Sequence, residues 1–392
     1  MALKPLWRPG SALDPGRWPL LILLLLVAAL ALLPILGLAP YALLGGIVGG
    51  GGESGGAGLL LGTGGAEALG HTLGLVLLVG GGGAVLGTAT GWLTAACSFP
   101  GRRLLRIAQL LPLAAPPYLL AATLIDTGSR FGLRLHGDLW AAVVLILGTY
   151  SYVFLLATES FGAGGQRLLE ACRSLGVGPW GAFRRVALPM AAPAIGAGVA
   201  LAGMEVVNEL GAVELLGVPT LSGTILQRWQ GEDDPRGAVA LALVTLVMVS
   251  LLVACERQLR RRSRRWLAGG DANTARPWSL VGWRALLAQL CTLLPPALSL
   301  GLPLLWMLLS RDQLQASDGA DLAALGFRSL ALALAAALLT LVAGLVLALG
   351  RRWFLEPWLA RLAFVAGMPQ LGWAVFAVIF INAIFSFWQE FR

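Results

Sequence analysis

The sequence predicts an all-α protein that crosses a membrane about nine times. The first observation is composition, because 57% of the 392 residues are hydrophobic, only 12% are charged and the mean hydropathy is +0.80. Soluble chains carry about twice that share of charged residues. The second is a series of apolar stretches of about 20 residues, the length that a helix needs to cross the hydrocarbon core. The third is the placement of basic residues between these stretches.

Each apolar stretch is interpreted as one membrane-spanning helix, because a helix satisfies its backbone hydrogen bonds internally. The first stretch, 19–40, is too long for the apolar part of a signal peptide and is interpreted as an uncleaved first helix. The other predicted spans are 72–97, 104–125, 139–157, 187–208, 237–255, 285–309, 329–350 and 364–387. The Gly-rich stretch 41–70 is predicted to be a flexible outer loop.

The basic residues predict the orientation of the chain. With a cytoplasmic N-terminus and one crossing per span, 21 lysine and arginine residues lie in cytoplasmic segments and 6 in outer segments, Arg392 left aside. This asymmetry follows the positive-inside rule. The net charge of +8 therefore reflects topology and contact with anionic membrane lipids. No nucleic-acid partner is expected, since such binding would need the basic residues on one folded surface.

Several kinds of chemistry are not expected from this sequence. Lys4 is the only lysine, so the chain has neither a nucleotide-binding phosphate loop nor the D-K-T-G phosphorylation motif of a P-type pump. His71 and His136 are the only histidines and do not form a metal-ligand set. The four cysteines fall inside helices or on the cytoplasmic side, where disulfides are not expected. The sequence thus predicts no enzyme activity, metal or cofactor.

The most informative segment is the predicted cytoplasmic loop 158–189. Gly176 suits the left-handed position that ends a short helix over 167–175, and Pro179 suits the first turn of a second short helix over 180–186. Two short helices joined in this way can insert as a unit into a groove on a partner. The alternative is an ordinary interfacial loop. The spaced positions are Glu170-Ala171-Cys172, Gly176, Val186, Leu188 and Pro189.

This spacing resembles the cytoplasmic coupling loop of the permease subunits of bacterial ABC importers. The resemblance implies a type I ABC importer permease-like fold in the bacterial plasma (inner) membrane. It implies two protein partners, an ABC ATP-binding subunit that hydrolyses ATP and a periplasmic solute-binding protein. The residues that it assigns to the contact with the ATP-binding subunit are Glu170, Ala171, Cys172, Leu175, Gly176, Val186, Leu188 and Pro189. At Cys172 the family motif has alanine, which is a change between two small side chains.

A second stretch resembles the ferric-iron permeases of this class. It comprises the segment from Met204 to Gly217, Leu221–Ile225 and Arg228-Trp229. The resemblance implies ferric iron as the cargo. Thiamine, polyamine, sulfate and molybdate permeases share the coupling loop, so these cargoes remain alternatives. A passive channel or a purely structural membrane protein would not explain the loop spacing.

Three polar residues at the end of the predicted fifth span form a candidate translocation path. Glu205, Asn208 and Glu209 are spaced i, i+3 and i+4 and therefore share one helical face. Acids within a span usually face a cavity or a partner rather than lipid. The hypothesis is that this face lines the cargo path near the outer gate. The alternative is that the acids reach outer water or hydrogen-bond a neighbouring helix.

A weak internal repeat predicts the domain organisation. The order of apolar runs in 17–97 resembles that in 284–353, as in other transporters with repeated halves. The predicted parts are a first permease half at 1–255, an Arg-rich cytoplasmic linker at 256–283, a partial second half at 284–366 and an atypical C-terminal helix at 367–392. The last part resembles a membrane helix of P-type cation ATPases. An incomplete second half is therefore expected, with a fusion or frameshift near 365–370, and a non-functional fragment is an alternative.

Overall fold

A computed structural model describes residues 56–163, 166–267 and 277–310, together with isolated helical positions within 18–29 and 324–345. The predicted spans 19–40, 329–350 and 364–387 therefore lie wholly or largely outside the described residues, as does the C-terminal segment 367–392. Glu53–Leu309 forms one compact unit. This unit contains the predicted coupling loop and the predicted translocation path.

The unit is almost entirely helical. Its helices are α1 Gly56–Ala96, α2 Arg102–Ala108, α3 Pro117–Arg130, α4 Asp138–Ala163, α5 Gln166–Ser174, α6 Pro179–Ala182, α7 Leu188–Asn208, α8 Gly211–Leu215, α9 Leu221–Gln230, α10 Pro235–Leu267, α11 Trp283–Pro296 and α12 Leu302–Leu309. A 3-10 turn, Leu111–Ala114, follows α2. Two π-helical turns, Phe183–Ala187 and Ala297–Gly301, join α6 to α7 and α11 to α12. Two short parallel strands, β1 Cys97–Ser98 and β2 Trp278–Ser279, pair with each other.

Five helices in the described residues are long and apolar enough to cross a membrane. They are Gly64–Ala96, Asp138–Gly162, Pro179–Asn208, Pro235–Ser263 and Trp283–Leu309. Each of them overlaps a span predicted from the sequence. The predicted all-α, polytopic fold is confirmed.

The predicted span 104–125 differs from a single straight helix. Two limbs, Arg102–Ala114 and Pro117–Arg130, are bent by 89° relative to each other. Ala115 between them has an extended backbone, and Pro116 and Pro117 donate no backbone hydrogen bond. Residues before a proline favour an extended backbone, and the extended Ala115 before this proline pair interrupts the helix here.

The predicted second short helix, 180–186, is not separate from the fifth span. The chain is helical without a break from Pro179 to Asn208. A proline inside an α-helix lacks an N–H and clashes with the carbonyl four residues before it. The π turn, in which the Leu188 N–H donates to the Phe183 carbonyl, widens the backbone just before Pro189 and accommodates it.

The predicted flexible loop 41–70 is partly helical. Residues from Gly56 onward belong to α1, which is interrupted at Gly64, where φ is +79°. Beyond this interruption Ala68 is buried against Leu221, Ile225 and Leu241 of α9 and α10. These apolar contacts favour a helix where the composition alone suggested a loop.

Helix α4 lies at the centre of the unit, packed between α1 and α7. The contacts are close at two glycines. A Cβ atom at Gly87 would lie 2.7 Å from the Phe154 backbone nitrogen, and one at Gly198 would lie 2.6 Å from Val153 Cα. Small residues at these positions allow the helix backbones to approach each other.

The ends of the helices form two distinct ends of the unit. At the loop end, the C-terminal ends of α1 and α4 meet residues 172–187 and β2. At the far end, the N-terminal ends of α1 and α4 are joined by a contact between His71 and Asp138, and α3 contacts α12 through Asp126 and Trp306. The bent α2–α3 segment therefore passes from the loop end to the far end and does not return.

Helices α11 and α12 pack on this bent segment. The Gln109 side chain donates to the Thr292 carbonyl, and the Gln289 side chain donates to the Pro100 carbonyl at 3.0 Å. The Trp306 indole N–H donates to Asp126 Oδ2 at 2.6 Å. The first span of the predicted second half thus lies in the same compact unit as the first half. The division of the chain into two halves stays a prediction.

Candidate functional site

The segment at the loop end begins with the short helix α5, which ends at a glycine. Gly176 has φ +71°, in agreement with the left-handed conformation predicted for it. Its N–H donates to the Arg173 carbonyl at 2.9 Å, and the Val177 N–H donates to the Cys172 carbonyl at 2.8 Å. These two bonds form a Schellman motif, which satisfies carbonyls that would otherwise lack partners at the helix end.

The next helix starts three residues later. Gly178 has an extended backbone, with φ −66° and ψ 166°, and Pro179 occupies the first position of α6. A proline is favoured there because its fixed φ suits a helix and its missing N–H would have no partner in the helix anyway. The left-handed glycine and the proline together turn the chain sharply between α5 and α6.

The two short helices α5 and α6 rest on a cluster of aromatic rings, which we name the aromatic cluster. The ring centroid of Trp92 lies 5.4 Å from that of Phe161, 5.1 Å from that of Phe183 and 5.7 Å from that of Trp278. Cys172 and Val177 pack against this cluster. The cluster fixes the position of α5 and α6 relative to α1 and α4, since ring pairs at such separations attract one another beyond their buried area.

The surface of α5 and α6 that does not face the aromatic cluster is exposed and partly apolar. We name it the platform, and its residues are Glu170, Ala171, Leu175, Gly176 and Trp180. Leu175 is 79% exposed and Trp180 is 65% exposed. The Trp180 ring stacks on Phe183 at 5.5 Å, and the Arg184 guanidinium lies 5.7 Å from the Trp180 ring. Exposed leucine and tryptophan side chains on one short segment are typical of a surface that another protein covers.

The structure separates the predicted contact residues into three groups. Glu170, Ala171, Leu175 and Gly176 lie together on the platform. Cys172 lies beneath it, half-buried. Val186 and Leu188 are half-buried in the continuous helix that follows, where Pro189 is exposed. Trp180 was not among the predicted residues, although its place directly after Pro179, in the first turn of α6, is a signal that would have identified it.

The predicted path residues lie at the far end, where α7 finishes. Glu205 is exposed, while Asn208 and Glu209 are half-buried. Glu209 Oε1 accepts a hydrogen bond from the Ala212 N–H at 2.9 Å and so caps the short helix α8. Burial raises the pKa of the Glu209 carboxyl, and the nearby Glu205 charge raises it further, while the bond from Ala212 acts in the opposite direction. Glu205 and Glu209 are therefore close enough to interact, as their spacing predicts.

Other polar contacts connect the helices at the far end. The Leu221 N–H donates to Thr72 Oγ1 at 3.0 Å, the Ser222 hydroxyl donates to the Val207 carbonyl at 2.6 Å, and the Gly137 N–H donates to the Leu216 carbonyl at 2.9 Å. His71 Nδ1 lies 2.8 Å from Asp138 Oδ2. Among the described residues, no group of His, Cys, Asp and Glu side chains is arranged to hold a metal ion.

Residues 83–265 match a protein family described as the binding-protein-dependent transport system inner membrane component. The matched range contains the platform and all of α4 and α7. The chain is similar to the molybdenum transport system permease protein of Escherichia coli, with 30% identity over 186 residues that make up 42% of this chain and 80% of that protein.

Two further relatives are also named as permeases. The sulfate transport system permease protein of Escherichia coli is 30% identical over 205 residues, which are 47% of this chain and 73% of that protein. The Fe(3+)-transport system permease protein of Haemophilus influenzae is 26% identical over 328 residues, which are 80% of this chain and 63% of that protein. The relatives agree in the kind of protein and differ in the cargo that their names state.

Proposed function

Because the chain belongs to the family of binding-protein-dependent inner membrane transport components, we propose that the platform is the surface on which an ATP-binding subunit docks. The protein is the permease subunit of an ABC importer and not an enzyme. It lies in the inner membrane, which it crosses several times, and it works with an ATP-binding subunit and a periplasmic binding protein. The observation that carries the proposal is that Leu175 and Trp180 are exposed on a segment whose Cys172, Val177 and Phe183 pack against the aromatic cluster.

Docking at the platform is tested by placing a charge on it. Leu175→Glu puts a carboxylate where an apolar contact is expected, so the co-purifying ATP-binding subunit should fall by about tenfold, which corresponds to about 1.4 kcal/mol. The matched control is Leu133→Glu, because Leu133 is also exposed (58%) but belongs to the turn between α3 and α4 at the far end. Equal retention of the ATP-binding subunit by both variants would contradict the proposal.

We infer that the loop end faces the cytoplasm. The described arginines at that end include Arg103, Arg106, Arg184 and Arg185, all of them exposed, which is the distribution that the positive-inside rule expects. In a background without the four native cysteines, Ser174→Cys at the loop end should resist a membrane-impermeant maleimide added to whole cells. Leu133→Cys at the far end should react with it. The reverse pattern would contradict this orientation.

We propose that Glu205 lines the cargo path. Its side chain is exposed within a span of which most other residues are buried or half-buried, and an acid in a span does not face lipid without a large cost. Glu205→Gln should lower uptake severalfold at matched expression. Glu209→Gln, which keeps the oxygen that caps α8, is the paired variant, and a loss of uptake there would extend the lining to Glu209. Normal uptake by Glu205→Gln would contradict the lining role.

We propose ferric iron as the cargo. The support is the resemblance of 204–229 to ferric-iron permeases and the similarity to a Fe(3+)-transport permease along 80% of this chain. The molybdenum and sulfate relatives support two other cargoes. Cells that contain the chain with its ATP-binding subunit and binding protein should accumulate labelled ferric iron. Accumulation of molybdate or sulfate instead would replace iron as the cargo without affecting the assignment as a permease.

A further inference from the structure

The segment 277–280, which precedes α11, makes three kinds of contact with the loop end. Its residues Trp278 and Ser279 form a parallel strand pair with Cys97 and Ser98, directly after α1. The Leu280 N–H extends this pairing by donating to the Ser98 carbonyl at 2.9 Å. The segment is therefore fixed by backbone hydrogen bonds to the end of α1.

The Trp278 side chain connects this segment to the aromatic cluster and to α5. One contact is with the Trp92 ring of the aromatic cluster, at 5.7 Å between centroids. The other is with α5, where the Arg173 guanidinium lies 4.1 Å from the centroid of the Trp278 ring. A guanidinium at this distance over an indole is held by the negative face of the ring. Trp278 is thus in contact with the aromatic cluster and with α5 at the same time.

The position of Trp278 matters because the described side chains of α5 that reach inward are Cys172, which packs against the aromatic cluster, and Arg173, which contacts Trp278. Helix α5 leads into the sharp turn at Gly176, and its outer face is the exposed platform. Cys172 of α5 and Val177 just after it pack against the aromatic cluster. A docking surface transmits the movement of its partner only if its base does not yield, so a further attachment to α1 stiffens it.

We propose that residues 277–280 form a strap that fixes the platform to the end of α1, with Trp278 as its positioning residue. The strap rests on the proposed docking of the ATP-binding subunit at the platform. It makes the movement of that subunit reach α1 as well as α7. Removal of the strap should leave docking intact and weaken the coupling between ATP hydrolysis and transport.

Trp278→Ala tests the strap in the assembled transporter. The variant should retain the ATP-binding subunit within about twofold, while stimulation of ATP hydrolysis by the loaded binding protein falls about fivefold. Backbone amides of residues 170–178 should exchange with deuterium at least about threefold faster, because one contact of α5 is lost. Trp283→Ala is the matched control, since Trp283 is 67% exposed and its arginine contact is with its chain neighbour Arg284, at 5.6 Å, and not with Arg173 of α5.

Two further variants separate the strap from general stability. Arg173→Gln removes the cation but leaves Trp278 in the aromatic cluster, and should reproduce the faster exchange in residues 170–178. Trp278→Phe keeps an aromatic face for Arg173 and should restore most of the stimulation. If Trp278→Ala does not accumulate, these two variants decide the outcome.

The strap would be overturned by unchanged amide exchange and unchanged stimulation in Trp278→Ala or, where that variant does not accumulate, in Arg173→Gln. Failure of the wild-type chain to retain an ATP-binding subunit would instead overturn the docking proposal. In that case the amide exchange of residues 170–178, which requires no partner, still tests the strap. Equal changes in Trp283→Ala and Trp278→Ala would also overturn it.

Discussion

The two ends of the unit are held together by different kinds of contact. At the loop end, three aromatic neighbours surround Trp92 and support α5 and α6 from below. At the far end, aliphatic side chains of the short helices α8 and α9 lie in buried clusters with residues of α1, α3 and α10. Hydrogen bonds also connect α9 to α1 and α7, and His71 meets Asp138. Aromatic rings at these separations attract one another beyond their buried area, an attraction that the aliphatic side chains of the far end do not add. The difference teaches that the loop end depends on a few large aromatic side chains, whereas the far end depends on aliphatic contacts together with hydrogen bonds.

The largest effect is expected from Trp92→Ala, which removes the centre of the aromatic cluster. Trp92 is 6% exposed, and truncation of a buried tryptophan lowers the free energy of unfolding by about 3–5 kcal/mol. Thermal unfolding of the purified protein, followed by circular dichroism, measures the loss. Trp180→Ala is the control, because Trp180 is 65% exposed and should change stability by less than about 0.5 kcal/mol. Equal losses in both variants would refute a rigid loop end built on Trp92.

The second effect concerns the turn between α5 and α6. Gly176→Val forces a branched side chain into a backbone with φ +71°, which costs about 1–2 kcal/mol. A Cβ atom at Gly176 would meet no atom within 4 Å, so the cost is in the backbone and not in a clash. The platform should lose its shape, and retention of the ATP-binding subunit should fall by about tenfold.

Gly178→Ala provides the control for this turn. Gly178 also has no atom within 4 Å of an added Cβ, but its φ of −66° suits any residue. This variant should retain the ATP-binding subunit at the wild-type level. A loss as large as that of Gly176→Val would mean that the loop is sensitive to any added side chain.

A smaller effect is expected at the far end, from Glu209→Ala. The variant leaves the Ala212 N–H without its acceptor, and the loss of such a cap costs about 1 kcal/mol. Glu209→Gln retains an acceptor oxygen and should keep this part of the stability. The free energies of unfolding of the two variants, compared at one pH, separate the hydrogen bond from the charge.

The same pair of variants also predicts a pH dependence. Because burial raises the pKa of Glu209 in the folded state, the protonated form is favoured by folding. The contribution of protonated Glu209 to the free energy of unfolding is therefore full in acid, below the ordinary pKa of a glutamate. It is lost as the pH rises through the raised pKa. Glu209→Gln should abolish that decline. A decline of the same size in the variant would assign it to another group.

The smallest effect is expected from Cys172→Ala, which restores the residue that the family motif has at this position. Cys172 is a half-buried free thiol beneath the platform, and replacing it by a slightly smaller side chain should change stability by less than about 0.5 kcal/mol. Retention of the ATP-binding subunit should be unchanged. A tenfold loss would show that the thiol itself contributes to the contact.

Local rules were sufficient to predict the turn between α5 and α6, because Gly176 and Pro179 act within a few residues of their positions. The bend before α3 was missed because a hydropathy profile records the composition of a segment and not the direction of its helix axis. The continuity of the helix through Pro189 was missed because the π turn that accommodates a proline has no simple sequence signal. The contact of Trp278 with Arg173 joins residues more than 100 positions apart, which periodicity cannot reveal. The relatives supported the kind of protein, and left the cargo a proposal.

The unbroken helix from Pro179 to Asn208 has a mechanical consequence. Its 30 residues extend over roughly 45 Å at 1.5 Å per residue. One end carries Trp180 and the other carries Glu205 and Asn208. A tilt of about 5° around its midpoint would displace each end by about 2 Å in opposite directions. One continuous helix, which contains the π turn and Pro193, thus joins the site of docking to the residues of the proposed path.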